Sequence, residues 1–394
     1  MQLLHIAYVL VALACNYEAV PLSSNLQQTM DVVFGKNNIP NNSKFGKLGR
    51  DISSAKRYMI GLYQYMNKTE CSMGQCFNKS VIASTDSENM VHDADTIVSF
   101  VHHPYIPRPN ISDEEGAVFF NVESNFNNED TIKSEIRIYL NTSQKTIEGA
   151  TLRLSVFEIV IPKTKYTMLA SKLVNATESS WHEFDVLRAT STWNDEPSQN
   201  NGLLIVCETL ERKKTPLKEC GLIDVKGEDD YRPFLVSFYQ SDEEEQEEYL
   251  AEQLPENENS TNTRTRRSLN DLFKQASKNV PGFYEREANR FTCRKIPLYV
   301  TFEALKWTDW IIAPEGYKSY YCGGECKFPL HHNSNATNHA IIQTLVHSLS
   351  PKRAHPPCCA PSRLEPLTVL YVNNDENVVI KKFSNMIVND CGCQ

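Results

Sequence analysis

Apolar positions recur along the chain at two different periods, and the places where the period changes mark its elements. Residues 51–68, DISSAKRYMIGLYQYMNK, carry Ala55, Met59, Leu62 and Met66 at steps of three and four. That spacing predicts an amphipathic helix, with Asp51 or Ser53 available as its cap. Further on, TIKSEIRIYLN (131–141), ATLRLSVFEIVI (150–161) and GLLIVCETL (202–210) are β-branched runs bounded by Asn, Gly and Pro, which reads as strands of an antiparallel sheet. SSWHEFDVLRATSTW (179–193) sets Trp181, Phe184 and Trp193 around a strand-to-helix junction. Near the C-terminus KIPLYVTFEAL (295–305) alternates Ile296, Leu298, Val300 and Phe302, and LTVLYVNNDENVVIKKF (367–383) reads as a hairpin turning at Asn373–Asn377. One helix is expected there, about Asn338–Leu349, with Ile341, Leu345 and Leu349 on one face, Asn335 or Thr337 near its start and Pro351 after its end.

Two stretches break the pattern. The N-terminus, MQLLHIAYVLVALACNYEA, is a short apolar run ending in small residues. It reads as a secretory signal peptide, residues 1–19, cut between Ala14 and Ala19. No other run approaches the ~18 apolar residues of a membrane span. The second break is an acidic linker at about 241–263, with six acids in the seven residues from Asp242 to Glu248, followed by Arg264, Arg266 and Arg267. Such a stretch buries nothing and should be exposed. Arginines at the first, third and fourth places of a four-residue window suit an acidic protease cleft and resemble a furin-type convertase site. Cleavage is expected after Arg267, releasing a piece that begins at Ser268.

Charge and cysteine counts agree with two pieces. Residues 1–267 hold 26 Lys+Arg against 38 Asp+Glu, net −12, and residues 268–394 hold 14 against 11, net +3. Opposite net charges favour association after a cut. Eight Asn-x-Ser/Thr sequons, at Asn41, Asn67, Asn78, Asn110, Asn141, Asn175, Asn259 and Asn335, join the signal peptide in pointing to an oxidising secretory route. Of twelve cysteines, Cys15 leaves with the signal peptide and Cys71, Cys76, Cys207 and Cys220 precede the cut; Cys71–Cys76 and Cys207–Cys220 is the local pairing among three. Seven follow the cut, an odd number, so one thiol there must stay free or pair with another chain.

Within those seven, Cys391 and Cys393 are two apart and Cys322 and Cys326 four apart, so each pair shares a face of an extended segment. Bridges 322–391 and 326–393 would close a small ring whose interior residues include glycine, which tolerates close passage of another chain. A third bridge from Cys293 to Cys358 or Cys359 would thread it. Neighbouring Cys358 and Cys359 point to opposite faces and so take different partners. A zinc site on Cys322, Cys326, His331 and His332 has the right ligand chemistry, but the secretory context favours disulfides. The chain shows no nucleophile elbow, phosphate loop, HExxH or paired-carboxylate motif, and His92, His102 and His103 read as solvated loop residues. No enzyme, cofactor or nucleic-acid partner is expected.

WTDWIIAPEGYKSYYCGGECKFPL (307–330), NATNHAIIQTLVHSL (335–349), CCAPSRLEPLTVLY (358–371) and NMIVNDCGCQ (385–394) resemble ligands of the transforming growth factor-β superfamily, bone morphogenetic protein five-to-eight subgroup. More loosely, the helix at 51–68, DADTIVSFV, TLRLSVFEI, WHEFDV and RPFLVSFY resemble the family's prodomains. The resemblance implies a prodomain over 20–267, α+β with an antiparallel sheet and an N-terminal amphipathic helix. It implies a mature cystine-knot growth factor over 268–394, with its knot at 293–394, two β-hairpin fingers and one α-helix. It further implies bridges Cys293–Cys359, Cys322–Cys391 and Cys326–Cys393, with Cys358 joining two copies, and a helix that packs into the palm of the second subunit.

Function by the same resemblance is that of a secreted extracellular ligand, a homodimer or a heterodimer with a related ligand, held non-covalently by its own prodomain. Trp307, Trp310, Phe328, Pro329 and Leu330 match the concave epitope for a type I receptor serine/threonine kinase. Ala313, Pro314, Thr368, Val369, Leu370 and Ile380 match the convex epitope for type II receptors. Joining the two receptor types would activate Smad signalling, and extracellular antagonists are possible further partners. A secreted cystine-knot antagonist is the rival reading. Integrin-driven release is not expected without Arg-Gly-Asp in the first piece. The arm Ser268–Thr292, with four bases against three acids, is not expected to hold heparan sulfate.

Overall fold

The computed structural model describes residues 53–67, 91, 93–102, 116–122, 129–147, 151–223, 230–241, 292–330 and 334–394. The signal peptide, the acidic linker, Arg264, Arg266, Arg267 and Ser268, the sequons at Asn41, Asn78, Asn110 and Asn259, the Cys71–Cys76 pairing and His92, His103, His331 and His332 lie outside the described residues.

In the N-terminal portion the elements are α1 (Ser54–Met66), β1 (Thr96–Val101), β2 (Ala117–Val118), β3 (Glu129–Leu140), β4 (Thr151–Ile161), β5 (Lys165–Asn175), β6 (Ser180–Asp185), α2 (Leu187–Asp195), β7 (Leu203–Glu208), β8 (Lys214–Thr215) and β9 (Phe234–Ser241). In the C-terminal portion they are β10 (Arg294–Ile296), β11 (Tyr299–Thr301), β12 (Ile311–Ala313), β13 (Gly316–Lys318), β14 (Tyr321–Gly323), α3 (Asn338–Leu349), β15 (Cys359–Val372) and β16 (Val378–Cys393). Every ladder between these strands is antiparallel.

The long hairpin β15–β16 does not stand alone. A seven-stranded sheet runs in the order β12-β15-β16-β1-β9-β3-β6, so strands from either side of the expected cut form one surface. β1 supplies the seam, pairing Thr96 with Lys381, Ile97 with Ile380, Val98 with Val379 and Ser99 with Val378. A smaller sheet, β2-β7-β4-β5 with β8 on β7, faces it. Strand alternation then sorts the side chains. Val98, Ile136, Ile138 and Leu235 meet Leu152, Leu154, Val156, Leu203 and Ile205 in the main core, which Trp193 of α2 plugs and which continues into Phe302, Trp310, Val369, Tyr371 and Val379. On the opposite face, Ile97, Phe234, Val236, Phe238, Leu370, Val372, Val378 and Ile380 lie under α1. The bridge Cys207–Cys220 closes the end of the smaller sheet.

α1 begins where its cap predicts, Ser53 Oγ accepting from the Lys56 amide at 3.3 Å. Its buried residues are Ser54, Ala55, Tyr58, Met59, Gly61 and Leu62. The inward face thus includes Tyr58, which the aliphatic spacing did not single out, while Met66 stays half-buried at the frayed end. The alternating run at 295–305 is corrected. It breaks into β10 and β11, because Pro297 has no amide to donate to a ladder and Leu298 turns outward. His102 is corrected too: it sits at a bridge to Phe120 and its Nδ1 accepts from the Phe119 amide at 3.0 Å, so it is not a solvated loop residue.

Candidate functional site

Three bridges organise the C-terminal portion: Cys293–Cys359, Cys322–Cys391 and Cys326–Cys393, with Cα separations of 5.3, 5.6 and 5.9 Å. Each joins residues more than sixty positions apart, so in the loop-entropy picture each contributes about 4 kcal/mol. Cys293, Cys326 and Cys393 pack with Ala340 of α3 in a small core of their own. Their sulfurs cluster within 4.8 Å, but all three are oxidised to cystine. Cys322 and Cys326 are likewise disulfide-bonded and offer no thiolate to zinc. The ring glycine Gly392 is fixed by a close approach, since a Cβ there would collide with the Asn335 carbonyl oxygen. Cys358 pairs its backbone twice with Gln394. Cys358 is disulfide-bonded as well.

α3 starts at an N-cap, Thr337 Oγ1 accepting from the Ala340 amide at 3.2 Å. Only Ala340 and Thr344 of the helix are buried. Ile341, Ile342 and Leu349 are 41%, 60% and 84% exposed, an apolar face that nothing in this chain covers among the described residues.

The residues expected at the concave epitope separate into two groups. Trp310 is only 4% exposed and meets Tyr371 edge-on at 5.7 Å, while Trp307 stacks on Phe302 at 6.0 Å. In the precursor Trp310 thus lies in the main core. Phe328 is 56% exposed and Pro329 is exposed with it, whereas Leu330 packs on the knot.

The convex set is brought together more closely, with one exception. Leu370 and Ile380 share the face under α1, Ala313 and Ile312 pack at its margin, and the Tyr63 hydroxyl of α1 donates to the Thr368 carbonyl at 3.4 Å. Pro314 is half-buried beside Ala313. Val369 alternates to the other face and joins the main core, which propeptide strands share. Val372 and Val378 share the face under α1 with Leu370 and Ile380. Their position two residues along from Leu370 and Ile380 was the sequence signal that would have found them.

Beneath α1 on the propeptide side lies a charged cluster. Arg137 and Glu135, both nearly inaccessible, pair on β3, with Arg137 Nε donating to Glu135 Oε1 at 2.7 Å and Lys133 Nζ at 3.2 Å from Glu135 Oε2. The Arg137 guanidinium lies 4.2 Å from the Tyr58 ring centroid, and that ring packs on Phe234 at 5.5 Å. Burial alone would push the Glu135 carboxyl up, but the charges of Arg137 and Lys133 hold it below the ordinary carboxylate range.

Four sequon asparagines are described, Asn67, Asn175 and Asn335 exposed and Asn141 half-buried. Asn67 donates to the Tyr63 carbonyl at the end of α1, Asn141 and Asn175 accept from Ser143 and Thr177 in local turns, and Asn335 Nδ2 donates to Ser362 Oγ at 3.1 Å.

A sheet shared across a linker, a knot of three cystines and a covering helix describe a protein folded together with its own propeptide. Residues 33–238 match the family described as TGF-beta propeptide, and residues 292–393 match the transforming growth factor beta like domain. The chain belongs to the transforming growth factor-β family. Protein 60A of Drosophila melanogaster is 35% identical to it over 327 residues, covering 80% of this chain and 70% of that protein. A Protein DVR-1 homolog of Strongylocentrotus purpuratus is 34% identical over 349 residues, covering 84% and 72%. Bone morphogenetic protein 8A of Mus musculus is 32% identical over 267 residues, covering 66% and 65%. The chain is thus a growth factor precursor of bone morphogenetic protein type with its propeptide, and not an enzyme. No described helix is long and apolar enough to cross a membrane.

Proposed function

We propose that this precursor is secreted and matures into a disulfide-linked dimeric ligand that assembles receptor serine/threonine kinases. Residues 1–19 direct export, and a furin-type convertase cuts after Arg267, separating the propeptide 20–267 from Ser268–Gln394. Cys358 joins two released copies, because the released piece holds an odd number of cysteines, and α3 fills the palm of the second copy. Type II receptors take the convex surface at Ala313, Pro314, Thr368, Leu370 and Ile380. Type I receptors take the concave surface at Phe328, Pro329 and Leu330 beside Trp307. A two-fold ligand then holds two receptors of each type together, and proximity lets type II kinases phosphorylate type I and activate Smads.

The observation that supports this reading best is the apolar patch of Leu370, Val372, Val378 and Ile380 under α1. Once the propeptide leaves, that patch faces solvent on both copies, and an exposed contiguous apolar patch marks a partner surface. Treating responsive cells with the released dimer should raise receptor-regulated Smad phosphorylation. A dimer that instead blocks phosphorylation by a known ligand would establish the antagonist reading.

A further inference from the structure

α1 straddles the two portions of the precursor. Its first turn is fixed to the propeptide, where Ser54 Oγ donates to the Arg232 carbonyl at 2.7 Å and Arg57 pairs with Asp230 at 2.9 Å. Its later turns reach the growth factor, Leu62 and Met59 sharing a core with Leu370 and Ile380, and Tyr63 donating to Thr368. Once the chain is cut, release of the growth factor requires that α1 leave Thr368, Leu370 and Ile380 and that β1 unzip from β16.

Tyr58 sits at the junction, 5% exposed, and its hydroxyl has no hydrogen-bond partner among the described residues. Arg137 and Lys133 both pair with Glu135. The ring contributes a face to Arg137 and an apolar contact to Phe234 while the hydroxyl is desolvated without compensation. A tyrosine here holds α1 down less firmly than a phenylalanine of the same shape would.

We propose that Tyr58 sets the lifetime of the cleaved propeptide–growth factor complex, its unpaired hydroxyl loosening a clasp that the Tyr63–Thr368 hydrogen bond tightens. The inference rests on the reading that α1 covers the type II receptor surface, and it names how that cover is tuned. An orphaned buried hydroxyl is worth a shift of roughly fivefold or more in an equilibrium, and an ordinary hydrogen bond roughly twofold to tenfold.

The test uses the secreted, convertase-cleaved complex carrying Tyr58→Phe or Tyr63→Phe, each of which deletes one oxygen and keeps the ring. Propeptide dissociation is followed from complex immobilised through the growth factor, with and without soluble type II receptor ectodomain. Tyr58→Phe should slow dissociation about fivefold or more, and Tyr63→Phe should speed it about twofold or more. Equal rates, or two changes of the same sign, would overturn the proposal. If growth factor freed from every variant failed to bind the ectodomain, the receptor reading would fall while the ratio of dissociation rates still decided the clasp.

Discussion

Ile342 offers a direct measure of what the second subunit contributes. It is 60% exposed on α3, so truncating it costs the isolated chain little. Ile342→Ala removes three carbons, worth ~0.8 kcal/mol each when moved fully out of water. Scaling by the exposed fraction gives about 1.4 kcal/mol of burial lost per copy, and a two-fold interface loses it twice, about 3 kcal/mol per dimer. That is roughly a hundredfold rise in the dimer dissociation constant. The covalent link would hide this, so the comparison belongs in Cys358→Ser growth factor, with association measured by sedimentation equilibrium and folding by thermal unfolding. The expected result is weaker association at an unchanged unfolding temperature. A dissociation constant within threefold of the parent, in a protein that is folded, would refute the placement of α3 in the dimer interface.

Three further outcomes follow from other parts of the molecule. Gly392→Ala sets a methyl against the Asn335 carbonyl oxygen in the knot, so the secreted yield should collapse or the bridges rearrange, which non-reducing peptide mapping would reveal; native pairing at normal yield would contradict the packing. Burial, with Lys172 adding repulsion, pushes the His182 imidazole down to about 4. The unfolded chain therefore takes a proton near pH 6.5 that the folded one refuses until about 4, and propeptide stability should fall as pH drops through that window. His182→Gln should flatten this loss in urea titrations of the precursor, and parallel slopes would argue against it. Cys358→Ser should run as a single growth-factor band on non-reducing gels. A covalent dimer persisting in that variant, or a wild-type band that joins propeptide to growth factor, would move the inter-chain role away from Cys358.

Much of this architecture was legible because it is written locally. Cysteine parity and spacing mark out the cysteines of the knot, whose full pairing only the family resemblance implied, Thr337 and Pro351 bound α3, and Asn373–Asn377 marks the turn of the long hairpin. What stayed hidden depends on partners distant in sequence. TIVSFV at β1 reads as a strand, yet nothing in it says that its neighbour is Val378–Lys381 rather than another propeptide strand. Arg137 and Glu135 look like solvated charges on a strand until Tyr58, almost eighty positions earlier, closes over them. Trp310 and Val369 were assigned to receptor surfaces by resemblance alone, and in the precursor both lie in the main core, which their own sequence neighbourhoods do not reveal. Pro297 was visible throughout, and its missing amide outweighs the alternating pattern around it.

The central claim is that one surface serves the propeptide first and a receptor afterwards. Binding of a soluble type II receptor ectodomain to Arg267→Ala precursor, which keeps its linker intact, can be set beside binding to the released dimer at equal concentration. Tight binding to the released dimer and little or none to the uncut precursor is the predicted result. Equal affinity for the two forms would contradict it, since Leu370 and Ile380 cannot be under α1 and on a receptor at the same time.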